Sequence, residues 1–500
     1  MNILRSFSKL AGSLFPKFKA SSGYEAASTG RRLGAWTPTQ DSVNALLFRD
    51  ANVMLPRARD LVRRNAWAFN GVDSLVTNLV GKGIKPRSTH DDAAFKASVY
   101  DLWRGWINEA DAHGVLGFYG LQALAVRGMI EGGEVLVRMR ERDQRDGLSV
   151  PLQLQVLEPE HLPYSMTHDL PSGNRIRSGI EFDRIGRRVA YHLYREHPGD
   201  RVLGSGLETV RVPASEVIHL FRPLRPGQIR GESWLTQALV KLHELDQYDD
   251  AELARKKTAA MLAGFIIKPS PDQDMIGEKG EIPDDQGVVS TNWAPGTMQV
   301  LLPGEDIKFS EPADVGGQYA VFMQVQLRAV ATAMGVTYEQ LTGDLSGVNY
   351  SSIRAGMVEF RRRMEQWQTS IIIHQFCRPV WKRWMDLAVL SGALEAPGYT
   401  GRRLEYQAVK WIPQGWAWVD PQKEFTSIIM AIRAGLMSRD EAVASYGYDA
   451  EEIDREIAAS NTRSDELGLT FDSDPRRRTR TGAAVQTETP LRRGSSFPEG

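Results

Sequence analysis

The strongest constraint on what this chain can become is the run from Ser351 to Leu390. Its apolar residues Ile353, Met357, Phe360, Met364, Trp367 and Ile371 are spaced alternately by four and three. That spacing puts all six on one stripe of a helix. The stripe drifts on through Phe376, Val380, Trp384 and Leu387. Pro379 is the first residue that removes a backbone donor, so a kink is expected there. A continuous helix of this length extends roughly 60 Å at about 1.5 Å per residue. Its outer face carries Arg354, Arg361, Arg362 and Arg363, and a polar loop with two glycines, Thr342 to Asn349, precedes it. Periodicity alone favours a core helix of a large helical protein with its arginines in solvent.

At 500 residues the chain exceeds one hydrophobic core, so two or more structural units are expected. A net charge of -1 lacks the global footprint of a tight nucleic-acid binder. The single cysteine, Cys377, excludes an internal disulfide framework and a multi-cysteine metal site. It falls in the long helix, where a buried inert thiol is expected, and a reducing intracellular compartment fits. No apolar run approaches the ~20 residues needed to span a bilayer. The first twenty residues are basic and mildly amphipathic. Lys9 and Gly12 interrupt the apolar core that a secretory signal would need, so they are read as an arm.

Leu55 to Val80 is expected to be helical, with Phe69, Val72, Val76 and Leu79 on one face and Gly81 as the stop. A second helix places Phe95, Val99, Leu102 and Trp106 together, and a third runs from Phe118 to about Ile130. From Glu134 the period becomes two. Val135, Val137 and Met139, then Leu152, Leu154 and Val156, then Val189, Tyr191 and Leu193 alternate with polar residues, and Glu216 to Phe221 adds another strand. These strands are expected to form an antiparallel sheet packed on the preceding helices. Leu235, Ala238, Leu242 and Leu245 then mark a second long helix, whose middle carries Asp246, Asp249, Asp250 and Glu252 followed by Arg255, Lys256 and Lys257. Such bands suit neighbouring copies facing one another, and equally a solvated face.

Residues 269–308 are an acidic, Pro- and Gly-punctuated excursion, with short strands expected near Val288-Val289 and Met298 to Leu302. Gln318 to Met334 returns as a helix with Phe322, Val325 and Met334 among its apolar positions. After Leu390 a linker leads to a strand rejoining the sheet, around Trp411, Trp416 and Trp418. Helices follow at Phe425 to Ala434 and Ser438 to Tyr446, the latter opened by a capping box at Ser438 and Glu441. The Arg476, Arg477, Arg478, Arg480 tail is expected to be disordered, with DNA contact as one possible role.

No Walker-A lysine loop, GxSxG elbow, HExxH or spaced Cys/His set occurs, and Gly81-Lys82-Gly83 reads as a turn. Glu158, Glu160 and His161 sit in one proline-bracketed loop that reads as a turn rather than a metal site. No catalytic, cofactor-binding or metal residue is nominated, and the chain is read as a non-enzyme.

The segment "GDLSGVNYSSIRAGMVEFRRRMEQWQ" resembles the tunnel loop and long helix of tailed-phage portal proteins of the lambda type. "RARDLVRRNAWAFNGVDSLVTNLVGKGIKPR" is similar to the opening of the same family, and the resemblance spans Trp36 to Arg433. It implies an α+β portal fold. The units would be an arm at 1–35, a helix-and-sheet wing at 36–230, a stem helix at 231–268, a small α/β clip at 269–308 and a returning stem helix at 309–336. A tunnel loop at 337–350, the kinked helix at 351–392, a strand segment rejoining the wing at 393–424, a helical crown at 425–471 and a basic tail at 472–500 would follow. It implies a closed ring of about twelve copies with double-stranded DNA passing through during packaging and ejection. The implied partners are the terminase large subunit, the head-tail adaptor and the major capsid or scaffold protein, with no membrane. The location would be a capsid vertex of the virion, assembled in the host bacterial cytoplasm.

Within that resemblance, the channel loop would be Thr342, Gly343, Asp344, Ser346, Gly347 and Asn349 with Arg354 behind it. Asp344 would repel phosphate, and Arg354 would hold the loop or graze DNA. The clip's docking surface would include Asp272, Asp274, Glu278, Asp284 and Asp285. Two other classes stay open on the residues alone: a nucleic-acid-processing enzyme or accessory factor with an unrecognised site, and a capsid shell protein.

Overall fold

The computed structural model describes residues 25–27, 31–200, 208–260, 264–267, 306–309, 319–347, 350–416, 421–471, 474 and 476. The helices in chain order are α1 (Val43–Arg64), α2 (Ala66–Leu79), α3 (Ala93–Trp106) and α4 (Phe118–Gly132). They are followed by α5 (Leu239–Ala260), α6 (Tyr319–Met334), α7 (Tyr338–Thr342), α8 (Tyr350–Trp367), α9 (Arg378–Leu390), α10 (Tyr399–Tyr406), α11 (Pro421–Arg433), α12 (Arg439–Ser445) and α13 (Ala450–Glu466). The long periodic stripe forms as read: Phe360, Met364, Ile371, Phe376, Val380, Trp384 and Leu387 are all buried. The backbone between α8 and α9 is a π-helix from Gln368 to Cys377. Arg378 N–H reaches back five residues to Ile373 O. This wider turn gives the Pro379 ring room against the preceding carbonyls, so the expected break becomes a relaxed stretch upstream of the proline.

That spine is fixed by aromatic packing. The Trp103 ring lies 5.3 Å from Trp381 and 5.0 Å from Trp384, and Phe118 stacks on Phe376 at 5.9 Å. Two of the buried indoles find acceptors, Trp106 donating to Leu152 O and Trp381 to Gln407 O, while the Trp384 and Trp234 N–H groups have none among the described residues. Cys377 is buried, its thiol pushed up by desolvation, and it receives only a weak contact from Gln122.

Several expectations need correction. The single helix from Leu55 to Val80 is two, because Asn65 leaves helical geometry (φ −101°, ψ 121°). Its side chain caps α2 by accepting from Ala68 N–H. The strands divide into a three-stranded sheet, ordered Leu152–Leu157 (β3), Glu134–Glu141 (β2), Val217–Phe221 (β9), and a separate five-stranded meander. The meander runs His168–Asp169 (β4), Arg175–Arg177 (β5), Ile180–Phe182 (β6), Arg188–Tyr194 (β7) and Thr209–Pro213 (β8), antiparallel throughout. The strand Val409–Ile412 (β12) does not join either sheet. It pairs with Lys85–Ser88 (β1), Lys85 facing Ile412.

The stem helix gives way before residue 268, since Gly264–Ile267 (β10) is a strand paired with Asp306–Phe309 (β11). The expected strands near Val288 and Met298 lie outside the described residues. Part of the linker after Leu390 is helical (α10), and the stretch 425–471, expected to be helical, carries most of α11 and all of α12 and α13. In α6 the buried side chains are Met323, Leu327, Val330, Ala331 and Met334, while Phe322 and Val325 are exposed. At Ser438 the hydroxyl accepts from Glu441 N–H, which is one half of the expected capping box. No described helix is long and apolar enough to cross a membrane.

The two sheets meet the stem at one buried polar cluster. Arg230 Nε donates to Glu134 Oε1 at 2.6 Å, and Arg230 Nη1 donates to Ser178 O at 2.9 Å. Glu134 Oε2 also accepts from Gly231 N–H and lies 2.8 Å from His219 Nε2. Gly231 and Gly133 must both be glycine here. A Cβ on Gly231 would sit 2.1 Å from Gly133 O, and Gly133 itself has φ +85°. Burial alone would raise the Glu134 pKa, but the Arg230 charge and the His219 hydrogen bond outweigh it and hold it at about 2. Burial pushes His219 down to about 4 despite Glu134.

Both shifts make acid destabilising. The unfolded chain takes up a proton at His219 below its ordinary value of 6.5, and the folded chain does not until about 4. Stability is therefore full above pH 6.5 and falls as pH drops toward 4, by roughly 3 kcal/mol. Glu134 adds a further loss between its ordinary 4.5 and about 2. Denaturant midpoints measured against pH should show the upper limb in the native protein and lose it in His219→Gln, which keeps a neutral donor beside Glu134.

Candidate channel loop and its anchors

Helix α6 ends at Gly335, whose φ is +81°. Gly335 N–H and Val336 N–H both reach Ala331 O, which closes the helix. Thr337 starts α7 with a reciprocal cap: its hydroxyl accepts from Gln340 N–H and Gln340 Oε1 accepts from Thr337 N–H. Gly343, at φ +73°, stops α7 and donates to Glu339 O. The expected loop from residue 337 therefore contains a short helix, and Gly343 serves as its left-handed terminus.

Asn70 of α2 pins this turn to the body. Its amide donates to Gln340 O and to Leu341 O, both at 2.8 Å. These carbonyls lie in the last turn of α7, where helical partners run out. Beside it, a Cβ on Gly71 would come within 2.5 Å of Met334 Cε and 3.0 Å of Leu341 Cδ1. Leu341 is buried against it.

At the tip, Asp344 organises the turn. Its Oδ1 accepts from Ser346 N–H at 3.0 Å and from the Ser346 hydroxyl at 2.6 Å. Its Oδ2 accepts from the Tyr338 hydroxyl at 3.2 Å. The Ser346 contacts, side chain first, hold the carboxyl below its usual range, so it is charged. Leu345 is 63% exposed, and open space surrounds Gly343 and Gly347. Arg354 is exposed on α8, and no ion pair among the described residues joins it to Asp344. Asn349, Asp272, Asp274, Glu278, Asp284 and Asp285 lie outside the described residues.

Sequence reading missed three groups. Asn70 and Tyr338 carry no motif, and their partners lie on other turns. Arg222 is the third: its guanidinium sits 4.2 Å from the Trp234 ring and 5.4 Å from the Trp367 ring, tying the end of β9 to the stem and to α8. Much of the charge on α5 is satisfied within the chain. Asp246 accepts from Asn65, Asp249 from the Tyr319 hydroxyl, and Glu252 pairs with Arg255 and Lys256. Glu158 and Glu160 face Arg59 and His197, with Arg59 at 3.1 and 2.5 Å; His161 instead bonds Tyr194 O. The two carboxylates and His197 could hold a cation by spacing, but Arg59 already pairs with both carboxylates.

The stem, by contrast, leaves apolar side chains bare. Val240 and Leu253 on α5 are 72% and 52% exposed, and Val321 and Val325 on α6 are 60% and 54% exposed. Paired helices with uncovered apolar side chains thus lead into the pinned loop.

The chain belongs to the lambda family of phage portal proteins: the family described as "Phage portal protein, lambda family" matches residues 29–368. A "Probable portal protein" of Halomonas phage phiHAP-1 is 28% identical over 462 residues, covering 89% of this chain and 87% of that protein. "Portal protein B" of Escherichia phage lambda is 23% identical over 487 residues, covering 86% and 88%. Among solved structures, a chain from the neck of an empty gene transfer agent particle matches with a TM-score of 0.47 at 16% identity, covering 84% of this chain and 98% of that one. An HK97-family phage portal protein from Corynebacterium diphtheriae has a TM-score of 0.32 at 12% identity, covering 74% and 96%. The protein's role is that of a portal, the head-tail connector around a DNA channel.

The Asn70 anchor is directly testable. Asn70→Ala removes two hydrogen bonds from terminal carbonyls, at a cost of about 1–2 kcal/mol confined to the turn. Hydrogen exchange at residues 338–347 should quicken, with α3 and α4 unchanged.

Proposed function

We propose that identical copies of this chain close into a ring of about twelve around double-stranded DNA, with the 337–350 segment of each copy directed at the duplex. The observation that carries this is the bare apolar surface of α5 and α6, with Val240, Leu253, Val321 and Val325 uncovered in one chain. Side-to-side contact between neighbours covers such faces, and a rotation that closes turns them into a cylinder. The role is passive and structural, with no catalytic step assigned to any residue. The charged Asp344 carboxylate, fixed at the loop tip, keeps phosphate at a distance and lets DNA slide. Arg354, exposed one turn into α8, grazes the backbone rather than holding the loop.

In this reading the acidic segment holding Asp272, Asp274, Glu278, Asp284 and Asp285 docks first the terminase large subunit and then the head-tail adaptor. The body contacts major capsid or scaffold protein as the head is nucleated. The assembled ring occupies one capsid vertex of the virion, having formed in the host cytoplasm.

Native mass measurement and negative-stain images of the purified protein decide the ring: particles many times 55.8 kDa are expected. Val321→Asp combined with Val325→Asp should retain the helical content of the chain and abolish annular particles. A native protein that stays at one chain's mass at every concentration would overturn the ring.

The loop is tested by its charge. Asp344→Asn preserves an acceptor for Ser346 but removes the charge, and should slow DNA movement in part. Asp344→Lys should slow or stall packaging, and equal packaging by both variants would remove the argument for repulsion.

A further inference from the structure

The last three helices are attached to the rest of the chain mainly by charge. Across α11, α12 and α13 only Ala442 and Ala450 are buried. Two alanines are far too little apolar area to hold three helices in place. What joins them to the body is a group of ion pairs. Arg87, on β1, lies 2.8 Å from Glu451, 3.6 Å from Asp449 and 3.6 Å from Asp440. Lys96, on α3, lies 2.9 Å from the same Glu451. The Tyr100 hydroxyl donates to Glu452 at 2.8 Å, and Arg455 covers the Tyr100 ring at 5.5 Å.

The arrangement has a clear polarity. The body contributes two cations, Arg87 and Lys96. The helical unit contributes four carboxylates, three of them at the start of α13, where the helix dipole favours negative charge. Asp449 is the N-cap of that helix and accepts from Glu451 N–H. Without Arg87 the four acids face one another with little compensation. The Arg87 side chain is only 15% exposed, so its pairs are stronger than ordinary surface pairs, yet Asp440 and Glu451 remain open to solvent ions. Close backbone packing at one further point, where a Cβ on Gly415 would meet Tyr446 C at 2.2 Å, marks where the chain enters the unit.

We propose that α11–α13 form a charge-latched unit, held to β1 and α3 by Arg87 and Lys96, which detaches as one piece when that latch is screened or neutralised while the body stays folded. Trp103 and Trp381 line the crevice beneath the latch and are packed in the aromatic core, so they report on opening.

The test is hydrogen exchange with mass spectrometry on the full chain, with tryptophan emission recorded alongside. Raising salt from ~0.1 M to ~1 M shortens the screening length from ~10 Å to ~3 Å. Exchange across α13 and at residues 85–100 should then rise about tenfold, with α1 and α4 unchanged and emission shifted to the red. Arg87→Glu should show the open pattern already at ~0.1 M salt. Arg87→Glu combined with Glu451→Arg should restore protection. Exchange in α13 that ignores both salt and Arg87→Glu would overturn the latch, as would a rise spread evenly over the whole chain. Should Arg87→Glu prevent folding, the salt series on the native chain and on Lys96→Gln decides alone, and no salt dependence in either overturns the proposal.

Discussion

The two larger sheets are arranged about the buried Glu134–Arg230 pair. Glu134 belongs to β2 of the three-stranded sheet. Arg230 lies just ahead of the stem and also donates to Ser178, at the head of the meander's β6. One guanidinium thus fixes two sheets and the approach to α5. Arg230 also covers the Tyr164 ring at 3.7 Å, and Glu134 accepts from Gly231 N–H. The lone pairs and N–H groups are nearly all used, the condition under which a buried pair offsets its desolvation. Removing one partner would leave the other charged and buried, at a cost of ~3–5 kcal/mol.

The spine from α8 through α9 works in the other register, by area rather than by charge. Trp381 and Trp384 pack tilted and edge-on against Trp103, and Phe376 stacks on Phe118. Polar side chains then fix its position along the body. Gln368 donates to Leu79 O at the end of α2, and Gln375 accepts from Phe221 N–H at the end of β9. Because α2 also carries Asn70, the same helix holds both the spine and the turn at Gln340 and Leu341. A shift of α2 would therefore move the loop tip and the spine together.

Attachment by area and attachment by charge divide the molecule into a rigid body and a responsive periphery. The aromatic core and the Glu134 cluster are out of reach of solvent ions. The faces of α5 and α6 that carry Val240, Leu253, Val321 and Val325 are apolar and bare in the single chain. The C-terminal helices rest on Arg87 and Lys96, whose partners remain partly exposed.

The sequence by itself determined what depends on near neighbours along the chain. Period-3.6 stripes placed α3, α4 and α8–α9, period-2 alternation placed β2, β3 and β7, and lone motifs such as Ser438 placed a cap. The family resemblance, which rests on words of sequence, likewise needed no coordinates. What the local pattern misjudged were places where a distant or capping group intervenes. Asn65 splits a helix whose apolar stripe runs straight through it. The π stretch absorbs Pro379, and β12 finds β1 rather than the sheet. Only the tertiary structure decided that Asn70 holds Leu341, that Arg222 lies between Trp234 and Trp367, and that Arg87 faces Glu451. Arg230 and Glu134 are 96 residues apart. A buried polar pairing of that kind leaves no periodic trace, because it is chosen by which groups the folded chain brings together out of water.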